Sequence, residues 1–282
     1  MRVAYLGPRG TFSEEAACQW MKGMKLSGEL IPCTLIPEVF LMVEENEADV
    51  GVVPVENSIE GTVGLSLDYL NKTPDLYIVG EVVLPIRHCI AVNHRIKDKN
   101  FTEIKYIYSH SQALGQCREY LKINFPGCEL RQASSTAEAA SIVASGMEKA
   151  AAICSPFAAE KYSLEVIASD IQDYPNNKTR FFVLENEPLK FLTVEEPGKT
   201  SMVFSLPEDS PGSLYMVLKY FAEEKINLMK IESRPAKKEL GHYFFYLDCE
   251  GYVWEEPLAS VIERLEGKTV FLKILGSYPR AS

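Results

Sequence analysis

Short runs of β-branched and aromatic residues alternate with amphipathic stretches from residue 2 to about residue 185. The strand-like runs are "RVAYL", "ADVGVVPV", "YIVGEVVL", "CIAVN", "KYIYS", "KAAAIC" and "RFFVL". Helices are predicted from about Phe12 and Ser111 and near 61–71, 135–146 and 156–162. Strand and helix in turn predict an α/β fold with a mostly parallel sheet covered by helices. Such sheets bind ligands at the carboxyl ends of their strands, so residues that follow each strand are candidate site residues.

Composition and charge exclude several classes of protein. With 282 residues, 46% of them hydrophobic, the chain can bury cores for two or three folding units. A formal net charge of −10 disfavours nucleic acid and anionic membrane as partners. No apolar run approaches the roughly 20 residues of a membrane helix, and the N-terminus lacks a signal-peptide pattern. The sequence therefore predicts a cytoplasmic protein.

The seven cysteines and four histidines do not suggest a metal site. No C-x-x-C pair occurs, and His88, His94 and His110 lack the i, i+4 spacing of ligands on one helix. An odd number of scattered cysteines also argues against a disulfide framework. We expect no metal and no other cofactor.

The first candidate segment is "GPRGTFSEEAA", which follows the opening strand. Thr11 and Glu14 have the spacing of a capping box at the start of a helix. The N–H groups of the helix start, together with Arg9, would attract a carboxylate or a phosphate. An ordinary strand-to-helix turn has the same composition, so this segment alone does not establish a binding site.

The second candidate segment is "VENS", after a valine-rich strand. Glu56, Asn57 and Ser58 place a carboxylate, an amide and a hydroxyl on consecutive positions. An Asx turn would use the same residues. The position after a buried strand favours a site.

The third candidate segment is "YIYSHSQALGQC". Ser109 ends a strand, Ser111 can cap the next helix, and Gln112 and Gln116 are four residues apart on one helix face. A solvated polar face would carry the same glutamines.

The segment "NNKTRFFVL" brings polar and cationic residues to the start of an apolar strand. Adjacent side chains of a strand point to opposite faces. If Thr179 faces a binding cleft, Phe181 shares its side, whereas Arg180 either pairs with a ligand carboxylate or turns outward.

These segments resemble the bacterial prephenate dehydratase family. "GPRGTFSEEAA", "PVENSIEGTV", "PIRHCI", "SHSQALGQC", "SSTAEAA" and "NKTRFFVL" occur in the family's order and approximate spacing, so the resemblance covers residues 1–186. It implies a two-lobed catalytic domain like the periplasmic binding proteins. One lobe would combine about 1–83 with 167–186, and the other would be about 84–166.

The remaining sequence resembles an ACT regulatory domain. After a charged linker at 187–199, residues 200–282 have the βαββαβ order of a ferredoxin-like fold. In the family this domain binds L-phenylalanine through an "ESRP" segment and a "GALV" segment. "ESRP" is intact at Glu232, Ser233, Arg234 and Pro235, whereas the other segment reads Gly212, Ser213, Leu214 and Tyr215.

The resemblance implies the chemistry and the residues that perform it. Prephenate would lose a ring hydroxyl and carbon dioxide to give phenylpyruvate. Thr179 would donate a hydrogen bond to the departing oxygen or relay a proton to it, and Glu56 or water would supply that proton. The resemblance implies substrate contacts at Asn57, Ser109 and Gln116, and the residue patterns add Thr11, Ser58, Arg180 and Phe181 as candidate contacts. His88 and His110 fall in family motifs, but a structural role is the expectation for both.

The resemblance also implies regulation and assembly. L-phenylalanine would act as an allosteric effector, and ACT domains pair edge to edge, so a homodimer or homotetramer is expected. The chain begins at the first lobe, so a monofunctional enzyme is expected. Two alternatives stay open: an arogenate dehydratase, and a non-catalytic amino-acid sensor with the same architecture.

Overall fold

The computed structural model describes residues 1–94, 103–147, 149–188, 196–207, 210–236 and 242–281. Much of the predicted linker, residues 189–195, lies outside this part of the chain. Two compact units form. The first contains Met1–Val39, Val52–Val63 and Val82–Phe181, and the second contains Phe40–Gly51, Gly64–Glu81 and Phe182–Ser282.

The first sheet has six strands in the order β2-β1-β3-β11-β5, with β4 paired to β3. Its elements are β1 (Arg2–Leu6), α1 (Phe12–Gly23), β2 (Glu29–Cys33), α2 (Ile36–Glu44), β3 (Val50–Asn57), β4 (Gly61–Thr62), α3 (Gly64–Lys72), β5 (Tyr77–Pro85) and β11 (Lys178–Glu185). β1 and β2 are parallel, whereas β3 and β4 are antiparallel.

The second sheet has five strands in the order β10-β6-β9-β7-β8. Its elements are β6 (Cys89–Val92), β7 (Tyr106–Ser109), α4 (Ser111–Gln116), α5 (Arg118–Asn124), β8 (Glu129–Gln132), α6 (Thr136–Ala144), β9 (Ala150–Cys154), α7 (Pro156–Lys161) and β10 (Glu165–Ala168). Alternate strand residues point to opposite faces, so Cys89 and Ala91 pack with α6, whereas Ile90 and Val92 pack with α4 and α5. Both faces of this sheet are therefore covered by helices.

The α/β class predicted from the sequence is confirmed, but the prediction of mostly parallel sheets is wrong. β7 pairs in parallel with β8 and β9, whereas β6 pairs antiparallel with both β9 and β10. Strand direction depends on connections over long sequence distances, which the local apolar pattern does not contain.

The third sheet contains four antiparallel strands in the order β13-β14-β12-β15. Its elements are β12 (Gly198–Ser205), α8 (Ser213–Glu223), β13 (Leu228–Pro235), β14 (Tyr243–Glu250), α9 (Leu258–Glu266) and β15 (Phe271–Pro279). This is the βαββαβ order predicted from the sequence. One face packs Met202, Phe204 and Leu247 against α8 and α9.

The second unit contains a buried ion pair. Lys199 Nζ lies 2.6 and 2.8 Å from the two carboxylate oxygens of Glu81. Both side chains are buried, and Ala281 N–H also donates to Glu81. Among the described residues, no helix has the length and apolar character that crossing a bilayer requires.

Candidate active site

A cavity of about 1240 Å³ in the first unit is surrounded by loops that follow strands of the first two sheets. Its polar lining includes Arg9, Thr11, Asn57, Glu60, His88, His110, Gln112, Gln116, Asn177 and Thr179. The N-termini of α1 and α6 also reach the cavity, through Thr11 to Ser13 and Ser134 to Thr136. Helix N-termini and Arg9 favour an anionic ligand in this cavity.

Thr179 and Asn57 meet in the cavity. The strand alternation of β11 brings Thr179 and Phe181 to the lining. Asn57 Nδ2 donates a hydrogen bond of 2.8 Å to Thr179 Oγ1. Asn57 Oδ1 accepts from the backbone N–H groups of Ile59 and Glu60, each at 3.0 Å. The Asx turn and the functional site are therefore not alternatives here, since the turn orients the amide that contacts Thr179.

Gln116 lies at the centre of a second polar group. Its Oε1 accepts from Asn177 Nδ2 at 3.2 Å and lies 3.2 Å from His88 Nε2. Its Nε2 donates to Glu60 Oε1 at 3.4 Å. His88 is 2% exposed and makes an edge-to-face contact with Phe12. Burial lowers the pKa of His88, although its hydrogen bond with Gln116 opposes the shift, so the imidazole is neutral at pH 7.

The loop after β1 closes one side of the cavity. Thr11 caps α1 as predicted: its hydroxyl donates to Leu6 O at 2.9 Å and accepts from Glu14 N–H at 3.4 Å. Thr11 therefore lines the cavity with its hydroxyl already engaged. Gly10 has φ +86°, and a Cβ there would lie 2.9 Å from the Tyr162 ring, so this close approach requires glycine.

Glu56 and Arg180, the predicted proton source and candidate substrate contact, pair with each other in the structure. The described lining contains neither residue. Arg180 Nη2 instead lies 3.1 Å from Glu56 Oε2, with the Arg180 side chain 12% exposed. Both residues neighbour a cavity residue on a strand, and strand alternation turns them to the other face.

Ser58 and Ser109 are also absent from the described cavity lining. Ser58 Oγ lies 3.2 Å from Asn177 Oδ1 and accepts from Lys178 N–H at 2.9 Å. Ser109 is completely buried, and its hydroxyl donates to Ile153 O at 2.7 Å in the neighbouring strand. The prediction of Ser111 as a helix cap is wrong, since His110 is the N-cap and its side chain accepts from Gln112 N–H.

Sequence reasoning did not select Glu60 or Asn177 and took His88 for a structural residue. Asn177 is 2% exposed and stands two positions before Thr179, so the alternation of β11 could have indicated it. Glu60 follows the Asn57 turn, but its approach to Gln116 joins residues 56 positions apart. That contact leaves no local signal in the sequence.

The segments expected to bind an effector lie in the second unit. Gly212 is the N-cap of α8 with φ +92°, Ser213 Oγ lies 2.7 Å from Ser210 Oγ, and Leu214 packs partly buried against the core. On β13, Glu232 and Arg234 are half-buried, whereas Ser233 and Pro235 are exposed. Arg234 Nε donates to Asp68 Oδ1 of α3 at 3.0 Å.

Comparisons of sequence and of fold with known proteins both find similarity to prephenate dehydratases. A family model for prephenate dehydratase matches residues 3–189. Prephenate dehydratase from Methanocaldococcus jannaschii is 44% identical over 278 residues, covering 98% of this chain and 97% of that protein. The crystal structure of prephenate dehydratase from Arthrobacter aurescens in complex with L-Phe has a TM-score of 0.88 and 35% identity, covering 100% of this chain and 90% of that chain.

A further solved structure shares the fold under a different description. GqqA, described as a novel type of quorum quenching acylase, has a TM-score of 0.87 and 26% identity, covering 100% of this chain and 98% of that chain. Because one fold carries several activities, the activity of this chain has to be argued from its site residues.

Proposed function

Because the chain belongs to the prephenate dehydratase family, we propose that it converts prephenate to phenylpyruvate, carbon dioxide and water. The observation that carries this proposal is the meeting of the Thr179 hydroxyl, the Asn57 amide and the Gln116 amide in one cavity. These groups match what the reaction requires of a protein.

The reaction breaks two bonds of the substrate. The bond from the ring to its carboxylate breaks, and carbon dioxide leaves. Its electron pair moves through the ring, and the C–O bond of the ring hydroxyl breaks with its electrons on oxygen. The departing hydroxide takes a proton and becomes water. Since the ring becomes aromatic, the protein has to stabilise charge on that oxygen and hold the other carboxylate.

Thr179 is the proposed donor to the departing oxygen. Its Oγ1 accepts from Asn57, so its own hydrogen is directed elsewhere. Accepting one hydrogen bond strengthens a hydroxyl as a donor of the next. A fixed donor at an oxygen that gains charge in the transition state stabilises that state more than the ground state.

The rest of the cavity suits a dicarboxylate. Phe181 supplies an apolar wall for the carboxylate that leaves as carbon dioxide, since an apolar environment does not stabilise its charge. Gln116 is a neutral donor, and Arg9 is a cation in the lining for the carboxylate that stays. The ion pair of Glu56 with Arg180 supports a positioning role for those two residues.

The test is direct conversion. The purified protein is incubated with prephenate and, separately, with arogenate, and the aromatic products are quantified. We expect turnover of prephenate to phenylpyruvate with the higher kcat/KM. A preference for arogenate would identify an arogenate dehydratase, and conversion of neither would identify a non-catalytic sensor.

The predicted domain division is the second part of the proposal. We infer a first lobe from about 1–83 and 167–186, a second lobe from about 84–166 and an ACT domain from 200–282. The second sheet uses residues 89–168 and the third uses 198–279, which supports this division. The strand order of the third sheet is that of a ferredoxin-like fold.

The ACT domain is proposed to bind L-phenylalanine through Gly212, Ser213, Leu214 and Glu232 to Pro235. The L-Phe complex of the Arthrobacter aurescens enzyme supports this effector. A homodimer or homotetramer in the cytoplasm is expected. Calorimetric titration with L-Phe, together with measurement of turnover in its presence, tests the effector. An absence of binding would refute the effector role of L-Phe and would leave the catalytic proposal unaffected.

A further inference from the structure

We propose that His88 and Asn177 are positioning residues that hold the side-chain amide of Gln116 with its NH2 group toward the substrate. The proposal rests on the dehydratase function above and assigns two residues that the function alone does not require. It follows from the direction of each hydrogen bond in the group around Gln116.

One end of the group runs through Ser58. Its Oγ accepts from Lys178 N–H at 2.9 Å. Its hydroxyl donates to Asn177 Oδ1, which lies 3.2 Å away. With its oxygen toward Ser58, Asn177 presents its NH2 group to Gln116 Oε1.

The other end of the group gives the same direction. Glu60 Oε1 lies 3.4 Å from Gln116 Nε2, and an ionised carboxylate only accepts hydrogen bonds. Gln116 therefore directs Nε2 toward Glu60 and Oε1 toward Asn177. Since His88 Nε2 lies 3.2 Å from the same Oε1, His88 carries its hydrogen on Nε2.

The environment of His88 fits this tautomer. The ring is 2% exposed, and its Nδ1 has no hydrogen-bond partner within the described part of the chain. An unprotonated Nδ1 leaves only a lone pair unsatisfied, whereas a hydrogen on Nδ1 would bury an unpaired N–H donor in the neutral ring, or a cation if Nε2 is protonated too. The neutral ring therefore donates to Gln116 through Nε2.

Two buried donors on Oε1 prevent the Gln116 amide from turning over. Rotation by 180° would bring its NH2 group against the N–H groups of His88 and Asn177, and its oxygen against Glu60. All three hydrogen bonds would be lost, and a repulsive contact would replace each. Gln116 thus keeps an N–H donor at the cavity before the substrate carboxylate arrives, which reduces the cost of ordering on binding.

Matched variants separate positioning from packing. His88→Phe keeps a ring against Phe12 but removes the donor, whereas His88→Gln restores an N–H at a similar distance from the backbone. Asn177→Asp keeps the acceptor for Ser58 and replaces the donor to Gln116 by a carboxylate oxygen, with an added negative charge. We expect KM for prephenate to rise about tenfold in His88→Phe and Asn177→Asp, with kcat within about threefold and near-wild-type KM in His88→Gln.

A double-mutant cycle with Gln116→Ala provides the decisive measurement. If His88 acts through Gln116, His88→Phe raises KM about tenfold in the wild-type background and less than twofold in Gln116→Ala. Equal effects in the two backgrounds would overturn the inference, and so would a normal KM in both His88→Phe and Asn177→Asp. A wild-type protein without prephenate turnover would instead overturn the proposed function, and this role with it. Thermal unfolding of each variant confirms that the compared proteins are folded.

Discussion

Thr179 and Arg180 are neighbours in the sequence, yet only Thr179 is in the described cavity lining. Thr179 receives a hydrogen bond from Asn57, whereas Arg180 pairs with Glu56. Side chains on the two faces of β11 therefore contact different residues of β3. The catalytic contribution of this segment is expected to depend on one hydroxyl rather than on the adjacent charge.

The variant Thr179→Val tests that hydroxyl. Valine has nearly the same shape and cannot donate a hydrogen bond to the departing oxygen, so we expect kcat to fall about 100-fold or more. KM should change little, because the donor acts mainly on the transition state. Steady-state kinetics with prephenate measures both constants.

Thr179→Ser is the matched control, since it keeps the hydroxyl and removes one methyl group. It should retain kcat within about tenfold of the wild type. Near-full turnover in a folded Thr179→Val protein would contradict the assignment of the donor.

The sequence indicates which residues share a face of a helix or strand. It does not indicate the hydrogen-bond partner of each side chain. Thr11 as helix cap and the pair of Gln112 and Gln116 on one face follow from local spacing, and both are found. Ser109 was expected at the substrate, but its hydroxyl bonds Ile153 across the sheet. That partner depends on which strand lies beside β7, which no local pattern determines.

At the scale of elements, α3 is held by three strands of the third sheet. Arg234 of β13 pairs with Asp68, and the Tyr246 hydroxyl of β14 donates to Leu67 O at 3.0 Å. Lys273 of β15 donates to Leu70 O at 2.9 Å and to Thr73 O at 2.5 Å. An ammonium group at the last carbonyls of a helix stabilises that helix end.

Lys273 should give stability a specific pH dependence. Burial lowers its pKa from 10.5 to about 8, although Asp75 opposes the shift. Between pH 8 and 10.5 the unfolded chain then binds more protons than the folded protein. The contribution of Lys273 to the free energy of unfolding therefore rises with pH. Below about pH 8 both states hold the proton, and the contribution is constant.

Comparison with Lys273→Met isolates this effect, because other titrating groups are common to both proteins. Urea unfolding at pH 7, 8, 9 and 10 should show that the wild type gains stability relative to Lys273→Met above pH 8. A constant difference across these pH values would contradict the lowered pKa.

Strands with long apolar runs are predicted from the sequence, whereas three of the edge strands are not. "RFFVL" lies in β11 and "KAAAIC" in β9, both inside their sheets. The strands without a predicted counterpart include β2, β8 and β10, which are all at sheet edges. An edge strand is half-exposed, so its residues are polar or mixed and its apolar pattern is weak.

At the scale of the whole molecule, α3 follows one proposed site in the sequence and contacts a residue of the other. It begins directly after Thr62 and Val63, which line the cavity, and its Asp68 pairs with Arg234 of the proposed effector segment. A change at Arg234 on effector binding would alter the anchoring of α3. A typical coupling free energy of about 1–3 kcal/mol means that binding at one site changes the affinity of the other site roughly 5- to 150-fold.

Asp68→Asn tests this connection. It should reduce the effect of L-Phe on turnover to less than twofold, while activity without L-Phe stays within about twofold of the wild type. Glu47→Gln also changes a carboxylate to an amide, at an exposed position of the second unit, and should keep the response. An unchanged L-Phe response in Asp68→Asn would exclude Asp68 from the coupling.

The buried pair of Lys199 and Glu81 limits how the polypeptide can be recombined. A fragment that ends near residue 186 would leave the Glu81 carboxylate without the ammonium group and the backbone N–H that pair with it in the full chain. A graft of the C-terminal region onto another catalytic domain would leave the Lys199 ammonium group without its carboxylate partner. Chimeric enzymes built from this family member should therefore exchange positions 81 and 199 together.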